Sequence, residues 1–389
     1  THCPSNAISI GAEGILVDAQ RCVSCGSCFR RCPHKAIHRT SQVEQVKEFI
    51  KVGRKVILSV DPACMAFFPP NVTMEKLAAA AQKLGFWDVA DAAEASAAVA
   101  TEYARLASEG ERENLIFSAC PVVQNIMEQY YPELIKYLAP VASPMIAHGR
   151  MLKQGFTSAA VVHVCTCGAR AEEARDVRHS TEINAVLSIG QLLGWMEQEG
   201  IHPQDCDEEP LLSDEGGVGE LSAIAGGMME CFRYIAPDCQ KKPIVVAGLH
   251  NCRMLLEELK KGELKDCIIE MNACDGGCVG GTDGVRPDSR GQGRFAATLA
   301  VRDYVAEHGK EPCFNVTGVA LANPTIDFSV EPYAPGEEDI REMLCHIGVG
   351  NSRQQKDCGK CGYASCRQRA EAILLHKEPV SICRQVVKD

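Results

Sequence analysis

Cys267-Ile268-Ile269-Glu270-Met271 runs directly into Asn272-Ala273-Cys274-Asp275-Gly276-Gly277-Cys278-Val279-Gly280-Gly281. The first five residues form a short, mostly apolar run of strand character. Two thiols follow it, Cys274 and Cys278, with one glycine pair between them and another after. Glycine lets a backbone take up positive φ and approach a bulky inorganic group closely. Thiolates are the usual protein ligands of iron–sulfur clusters. The stretch reads as a strand whose carboxyl end delivers two cluster ligands.

The same rhythm recurs upstream. Lys55 to Val60 is an apolar run that stops at Asp61-Pro62, as a buried strand ending in a loop does. Met74 to Leu84 has helical spacing, with Asn71 or Thr73 as the cap. Ala159 to Val164 and Pro243 to Gly248 are further strands, each preceding a polar or helical segment. Strand-then-helix alternation predicts an α/β fold, with parallel sheets flanked by helices. Cys64, Cys165, Cys167, Cys274 and Cys278 all fall at or just after carboxyl ends of strands, where open α/β sheets place their ligands. Residues 205–219 and 284–293 read as loops.

Both ends of the chain carry their own cysteine signatures. Cys22-x2-Cys25-x2-Cys28-x3-Cys32-Pro33 is the run of bacterial two-cluster ferredoxins. Cys3-Pro4-Ser5-Asn6-Ala7-Ile8 is echoed by Cys32-Pro33-His34-Lys35-Ala36-Ile37, the internal repeat of that α+β fold. The fourth cysteine of each run ligates the other cluster. Cys3, Cys22, Cys25 and Cys28 are therefore expected to hold one 4Fe-4S cluster. Cys32 would complete a second, whose other ligands would precede Thr1; either the chain is cut or that cluster is lost. At the far end stands Cys358-x2-Cys361-x4-Cys366-x16-Cys383, followed in part by a helix from Ala364 to Leu375. Its spacing and its Cys-Gly-Tyr-Ala-Ser-Cys segment favour a 4Fe-4S cluster, with tetrahedral zinc the alternative. The expected division is residues 1–40, ferredoxin-like and incomplete at its start, then 41–345, then 346–389.

Composition narrows the class. The chain has 389 residues, a net charge of −11, aromatics at 5% and 22 cysteines. The charge argues against nucleic acid or an anionic membrane as partner. No apolar run is long enough to span a bilayer, and no secretory signal is visible. Cysteines at metal-ligand spacing in so long a chain argue against a disulfide framework and for a reducing cytoplasm. Cys206, Cys231, Cys239, Cys252, Cys267, Cys313 and Cys345 share no ligand spacing and read as core or surface thiols. His148, His163 and His250 read as isolated histidines.

Over nearly its whole length the chain resembles the iron-iron hydrogenases. The resemblance rests on Phe117-Ser118-Ala119-Cys120-Pro121, on Cys165-Thr166-Cys167-Gly168 and on the Cys274–Gly281 segment. It implies that Cys120, Cys167, Cys274 and Cys278 ligate a 4Fe-4S cubane. Cys278 would bridge to a two-iron subsite carrying CO, cyanide and a bridging dithiolate, the whole being the H-cluster. It further implies that Asp61-Pro62-Ala63 and Ser143-Pro144 form opposite walls of the subsite. Gly226-Gly227-Met228-Met229-Glu230, with Met229 as a cofactor contact, would lie beyond the second motif.

Three departures matter. The family's proton-delivering cysteine is replaced by Ala119, whose methyl carries no proton. Glu102 stands where the same relay has a glutamate, and a solvated helix charge is the competing reading. Arg170 replaces a cyanide-binding lysine, and its planar fork is larger and differently aimed. Cys165 replaces a methionine and, with Cys64, is a candidate substitute proton carrier. Alanine at the proton position, a ferredoxin in front and a four-cysteine tail behind resemble the sensory-type branch. That implies slow reversible hydrogen chemistry, with H2 and protons as substrates and electrons passing to a redox or signalling protein. A homodimer is one assembly open to such a chain. The alternatives are an iron–sulfur electron-transfer or assembly protein without the two-iron site, and a catalytic hydrogenase subunit with a substitute proton route.

Overall fold

Several strands in this chain form at short apolar runs. The computed structural model describes residues 3–11, 14–32, 34, 36–69, 71–213, 217–282, 293–308, 318–331, 333–375 and 380–383. Among these, nine strands occur: β1 (Ile8–Gly11), β2 (Gly14–Val17), β3 (Val56–Val60), β4 (Asp88–Asp91), β5 (Leu115–Ile116), β6 (Ala160–Cys165), β7 (Ala185–Ser188), β8 (Lys242–Ala247) and β9 (Cys267–Asn272). Cys313 and residues 284–292 of the expected loop lie outside the described residues.

Contacts divide the chain into two units, Thr1–Arg21 with Val330–Asp389, and Cys22–Ser329. This partition differs from boundaries at residues 40 and 345. In the first unit β1 and β2 form an antiparallel hairpin. Helices Glu337–His346 and Cys366–Leu374 pack there around Ile340, Leu344, Ile347 and Ile373. Asn6 Nδ2 donates to the Leu374 carbonyl at 3.0 Å, so the first residues associate with the tail.

The second unit holds two wholly parallel sheets, ordered β4-β3-β6-β7 and β5-β9-β8. Side chains alternate across a strand, so each strand of the first sheet serves two faces. Leu58, Val162, Val164 and Leu187 pack with Leu77, Leu192 and Trp195 from helices Met74–Lys83 and Ile189–Gln198. Ile57, Val161, Cys165 and Val186 face the opposite way, against Met145, Ile146 and Leu152 of helix Pro144–Gly155. Burial of each such side chain contributes about 2 kcal/mol. Thr73 is the cap of the Met74–Lys83 helix, its Oγ1 accepting from the Lys76 amide at 3.3 Å. The second sheet is covered by helices Pro121–Tyr130 and Leu249–Lys260 on one face. Helices Ala93–Glu109 and Gly227–Ile235 cover the other. Pro243 sits on the edge strand β8, where its missing N–H is tolerated.

Candidate functional site

The site is assembled at carboxyl ends of strands from both parallel sheets. Cys120 follows β5 and caps the helix Pro121–Tyr130. Cys167 follows β6, and Cys274 and Cys278 follow β9. All four line one pocket, together with Pro62, Ala119, Pro144, Met145, Met228 and Arg170. Its atom-free space, mouth included, is about 840 Å³.

The turn between Cys274 and Cys278 depends on its glycines. Gly277 has φ 85° and ψ −155°, a region closed to residues with a Cβ. A Cβ there would stand 2.4 Å from the Ala225 amide nitrogen, and one on Gly280 only 2.0 Å from the Asp275 carbonyl. The turn is further fixed by Thr166 Oγ1, which donates to the Cys278 carbonyl at 2.6 Å. Glu270 anchors the Gly226–Met229 segment to β9, accepting from the Gly226 and Met229 amides at 2.9 and 2.7 Å. Met228, not Met229, lines the pocket.

Burial dominates the thiol chemistry. It pushes Cys167 up to about 11 and raises Cys274 and Cys278 well above the ordinary thiol value, with neighbouring thiolates and, for Cys278, Asp61 adding to the effect. Such thiols give up their protons only to a bound cation or cluster, so loading releases protons. Among the described residues no three His, Cys, Asp or Glu side chains stand at the spacing of a single metal ion. A donor set of four thiols around a glycine turn, more open than one ion needs, fits an iron–sulfur cubane. Cys25 packs in the same apolar cluster as Cys120 and Cys167, and its charge bears on Cys274. This places a cysteine of the ferredoxin-type run beside the pocket's thiols.

Arg170 is almost wholly buried. Burial opposes its charge, but Glu173, Cys278, Cys167 and Asp61 outweigh that and hold its proton more firmly than usual. It donates to Glu173 Oε2 at 2.7 Å and to the Ala119 carbonyl at 3.1 Å. Its fork thus fixes the backbone at Ala119.

Other expected residues fall elsewhere. Ser143 caps helix Pro144–Gly155, accepting from the Ile146 amide at 3.4 Å, and only the next two residues reach the pocket. Cys165 donates to the Cys167 carbonyl at 3.2 Å and Cys64 to that of Val164 at 3.5 Å; both lie off the pocket lining. Glu102 accepts from Arg105 at 2.7 and 2.9 Å on an outer helix face and does not line the pocket either.

The terminal motifs are locally ordered. Cys3 Sγ accepts from the Ala7 amide at 3.3 Å, and Cys32 Sγ from the Ala36 amide at 3.4 Å. The sequence repeat is thus a repeat of local structure; Pro33 and Lys35 within it lie outside the described residues. In the first unit Cys358, Cys361, Cys366 and Cys383 line one cavity with Ile347 and Val349. All four donors are thiols, the usual ligands of an iron–sulfur cluster, and no three of them stand at the spacing of a single ion such as zinc. Among the described residues no cysteine is in a disulfide, and no helix is long and apolar enough to cross a membrane.

Sequence reasoning placed the Asp61 segment in a pocket wall but missed His163, read as isolated, as a pocket side chain. The available signal was a lone Ser59 and a lone His163 inside two otherwise apolar, fully buried strands. The two are register partners in β3 and β6.

Comparison with known proteins agrees with this geometry. The family described as "Iron only hydrogenase large subunit, C-terminal domain" matches residues 54–282. A 4Fe-4S binding domain matches residues 15–38, and an Fe-S cluster family matches 354–385. The periplasmic iron hydrogenase large subunit of Nitratidesulfovibrio vulgaris is 28% identical, covering 70% of this chain and 87% of that protein. Nuclear prelamin A recognition factor of Danio rerio is 22% identical, covering 72% and 76%. A cytosolic Fe-S cluster assembly factor of Xenopus tropicalis is 21% identical, covering 72% and 74%. A solved iron-iron hydrogenase of Chlamydomonas reinhardtii shares the fold with TM-score 0.58 at 17% identity, over 75% of this chain and all of that one.

Proposed function

Because the chain belongs to the family of the iron-only hydrogenase large subunit, we propose that it is a slow, sensory-type iron-iron hydrogenase. Cys120, Cys167, Cys274 and Cys278 would hold the cubane, and Cys278 would bridge to the two-iron subsite. When bound, the H-cluster supplies the heterolytic making and breaking of hydrogen. The chain does the rest. Pro62, Pro144, Met145 and Met228 wall the pocket and restrict water. The Arg170 charge favours anionic groups there. Ala119 neither takes nor gives a proton, and Arg170 is committed to Glu173 and the Ala119 carbonyl; both features support slow turnover. Cys25, beside the cubane thiols, supports an electron path toward the Cys22–Cys32 run. From there or from the Cys358–Cys383 site, electrons would pass to a redox or signalling protein in the cytoplasm.

The observation that carries this reading is the convergence of the four thiols, Pro62, Pro144 and Arg170 on one pocket. Infrared spectra of the chain matured with the two-iron precursor are expected to contain CO and cyanide bands. Their absence, in protein whose cubane is intact by paramagnetic resonance, would overturn it. A second reading would then stand: an iron–sulfur electron-transfer or assembly protein that keeps only the cubane. The buried Arg170–Glu173 pair favours that reading, because it ties down the cation that would face the subsite.

A further inference from the structure

A file of polar side chains leaves the pocket through the interior of the first sheet. Asp61 and His163 line the pocket. His163 Nδ1 lies 2.8 Å from Ser59 Oγ, and the same oxygen lies 2.8 Å from His148 Nδ1. His148 Nε2 is 3.2 Å from Glu94 Oε1, and the Glu94 side chain is 13% exposed. Ser59, His148 and His163 are fully buried, which makes polar groups in that position expensive unless they act together. At the pocket end His163 Nε2 is 3.8 Å from Asp61 Oδ2, and neither it nor His148 Nε2 beside Glu94 makes a hydrogen bond among the described residues. Transfer at each end therefore needs a small shift of the carboxylate or one bridging water.

The geometry constrains the protons. Ser59 has a single hydroxyl hydrogen, so it donates to one ring and accepts from the other. Two neutral rings must therefore carry opposite tautomers. In one arrangement His163 Nε2–H faces an Asp61 carboxylate while a protonated Glu94 faces the bare Nε2 of His148. In the other, a protonated Asp61 faces the bare Nε2 of His163 while His148 Nε2–H faces a Glu94 carboxylate. The two differ by one proton carried from end to end.

We propose that Asp61, His163, Ser59, His148 and Glu94 form a proton relay between the pocket and the surface, replacing the route that Ala119 cannot serve. Each hop is a proton exchange without electron transfer. Asp61 gives its proton to His163 Nε2 as the proton on His163 Nδ1 passes to Ser59 Oγ. The Ser59 proton passes to His148 Nδ1, and that on His148 Nε2 to the Glu94 carboxylate. Inward delivery is the reverse. The use of the relay in hydrogen chemistry rests on the proposed function; its existence does not.

The test uses the full chain carrying its iron–sulfur clusters, without the two-iron group. An electron placed on the cubane raises the proton affinity of nearby Asp61 and His163, so rapid reduction by a low-potential donor should draw a proton inward. A pH-indicator dye in stopped flow reads the uptake. Ser59→Ala is expected to slow it at least tenfold at unchanged cluster content and unfolding midpoint. Glu94→Gln, at the partly exposed end, should act alike and serves if the buried variant does not fold. No uptake by the wild-type chain, or a wild-type rate in the variants, overturns the relay. Slowed uptake in a chain lacking CO and cyanide bands supports the relay and removes the hydrogenase reading. Bands with unaltered uptake do the reverse.

Discussion

Ala119 puts the sharpest residue-level question to the site. Its methyl lines the pocket, and its carbonyl is held by Arg170 at 3.1 Å. A positioned general acid contributes about 10²–10⁴-fold to a rate. Ala119→Cys is therefore expected to raise hydrogen evolution at least tenfold in the matured protein, measured by gas chromatography with a low-potential donor. An unchanged rate would mean that proton delivery at this position does not limit turnover. Glu220 offers a test by pH. Burial and the neighbouring Asp91 raise its carboxyl well above its ordinary value of 4.5. Between 4.5 and that raised value the native state keeps a proton that the unfolded chain releases. The contribution to stability is full below 4.5 and falls as pH rises, by at most about 1.4 kcal/mol per pH unit for one proton. Glu220→Gln should remove this slope, so its advantage over wild type in urea midpoint should grow from pH 5 to pH 8. The cysteine ligand candidates were legible because their spacing and glycine neighbours are local. Ser59, His148 and His163 were not, because strand register and a helix from elsewhere bring them together.

Among the elements, the Cys274–Cys278 turn after β9 is the least replaceable. Gly276 and Gly277 both have positive φ, 87° and 85°, but only Gly277 is also crowded by backbone. Gly276→Ala meets nothing closer than 3.8 Å and should cost about 1–2 kcal/mol through backbone strain alone. Gly277→Ala adds a Cβ 2.4 Å from the Ala225 nitrogen and should displace the turn. The expected result is near-complete loss of the cubane's paramagnetic signal in Gly277→Ala and retention in Gly276→Ala; equal loss in both would show that crowding is not decisive. Strands β3, β6 and β9 were readable from composition, since both-face burial demands continuous apolar runs, and β8 carries a similar run at a partly exposed sheet edge. β5, with two residues, and β4, which contains two aspartates, carry no such signal and form through pairing with β9 and β3.

At the scale of the whole molecule, the α/β class was legible from the alternation of runs. The association of residues 3–21 with the tail was not, because it depends on contacts such as that of Asn6 with Leu374 across most of the chain. The pocket shows the same dependence on distant partners. Its thiols come from behind three strands, β5, β6 and β9, spread over two sheets. Parallel pairing of this kind forms late and slowly, since long loops must close before any contact rewards them. No fragment ending before Cys274 can assemble the four-thiol set. On the proposed reading, cluster insertion would act as a checkpoint on synthesis: iron would be retained only by a chain that has already docked both sheets, and its binding energy would then lock the topology that admitted it.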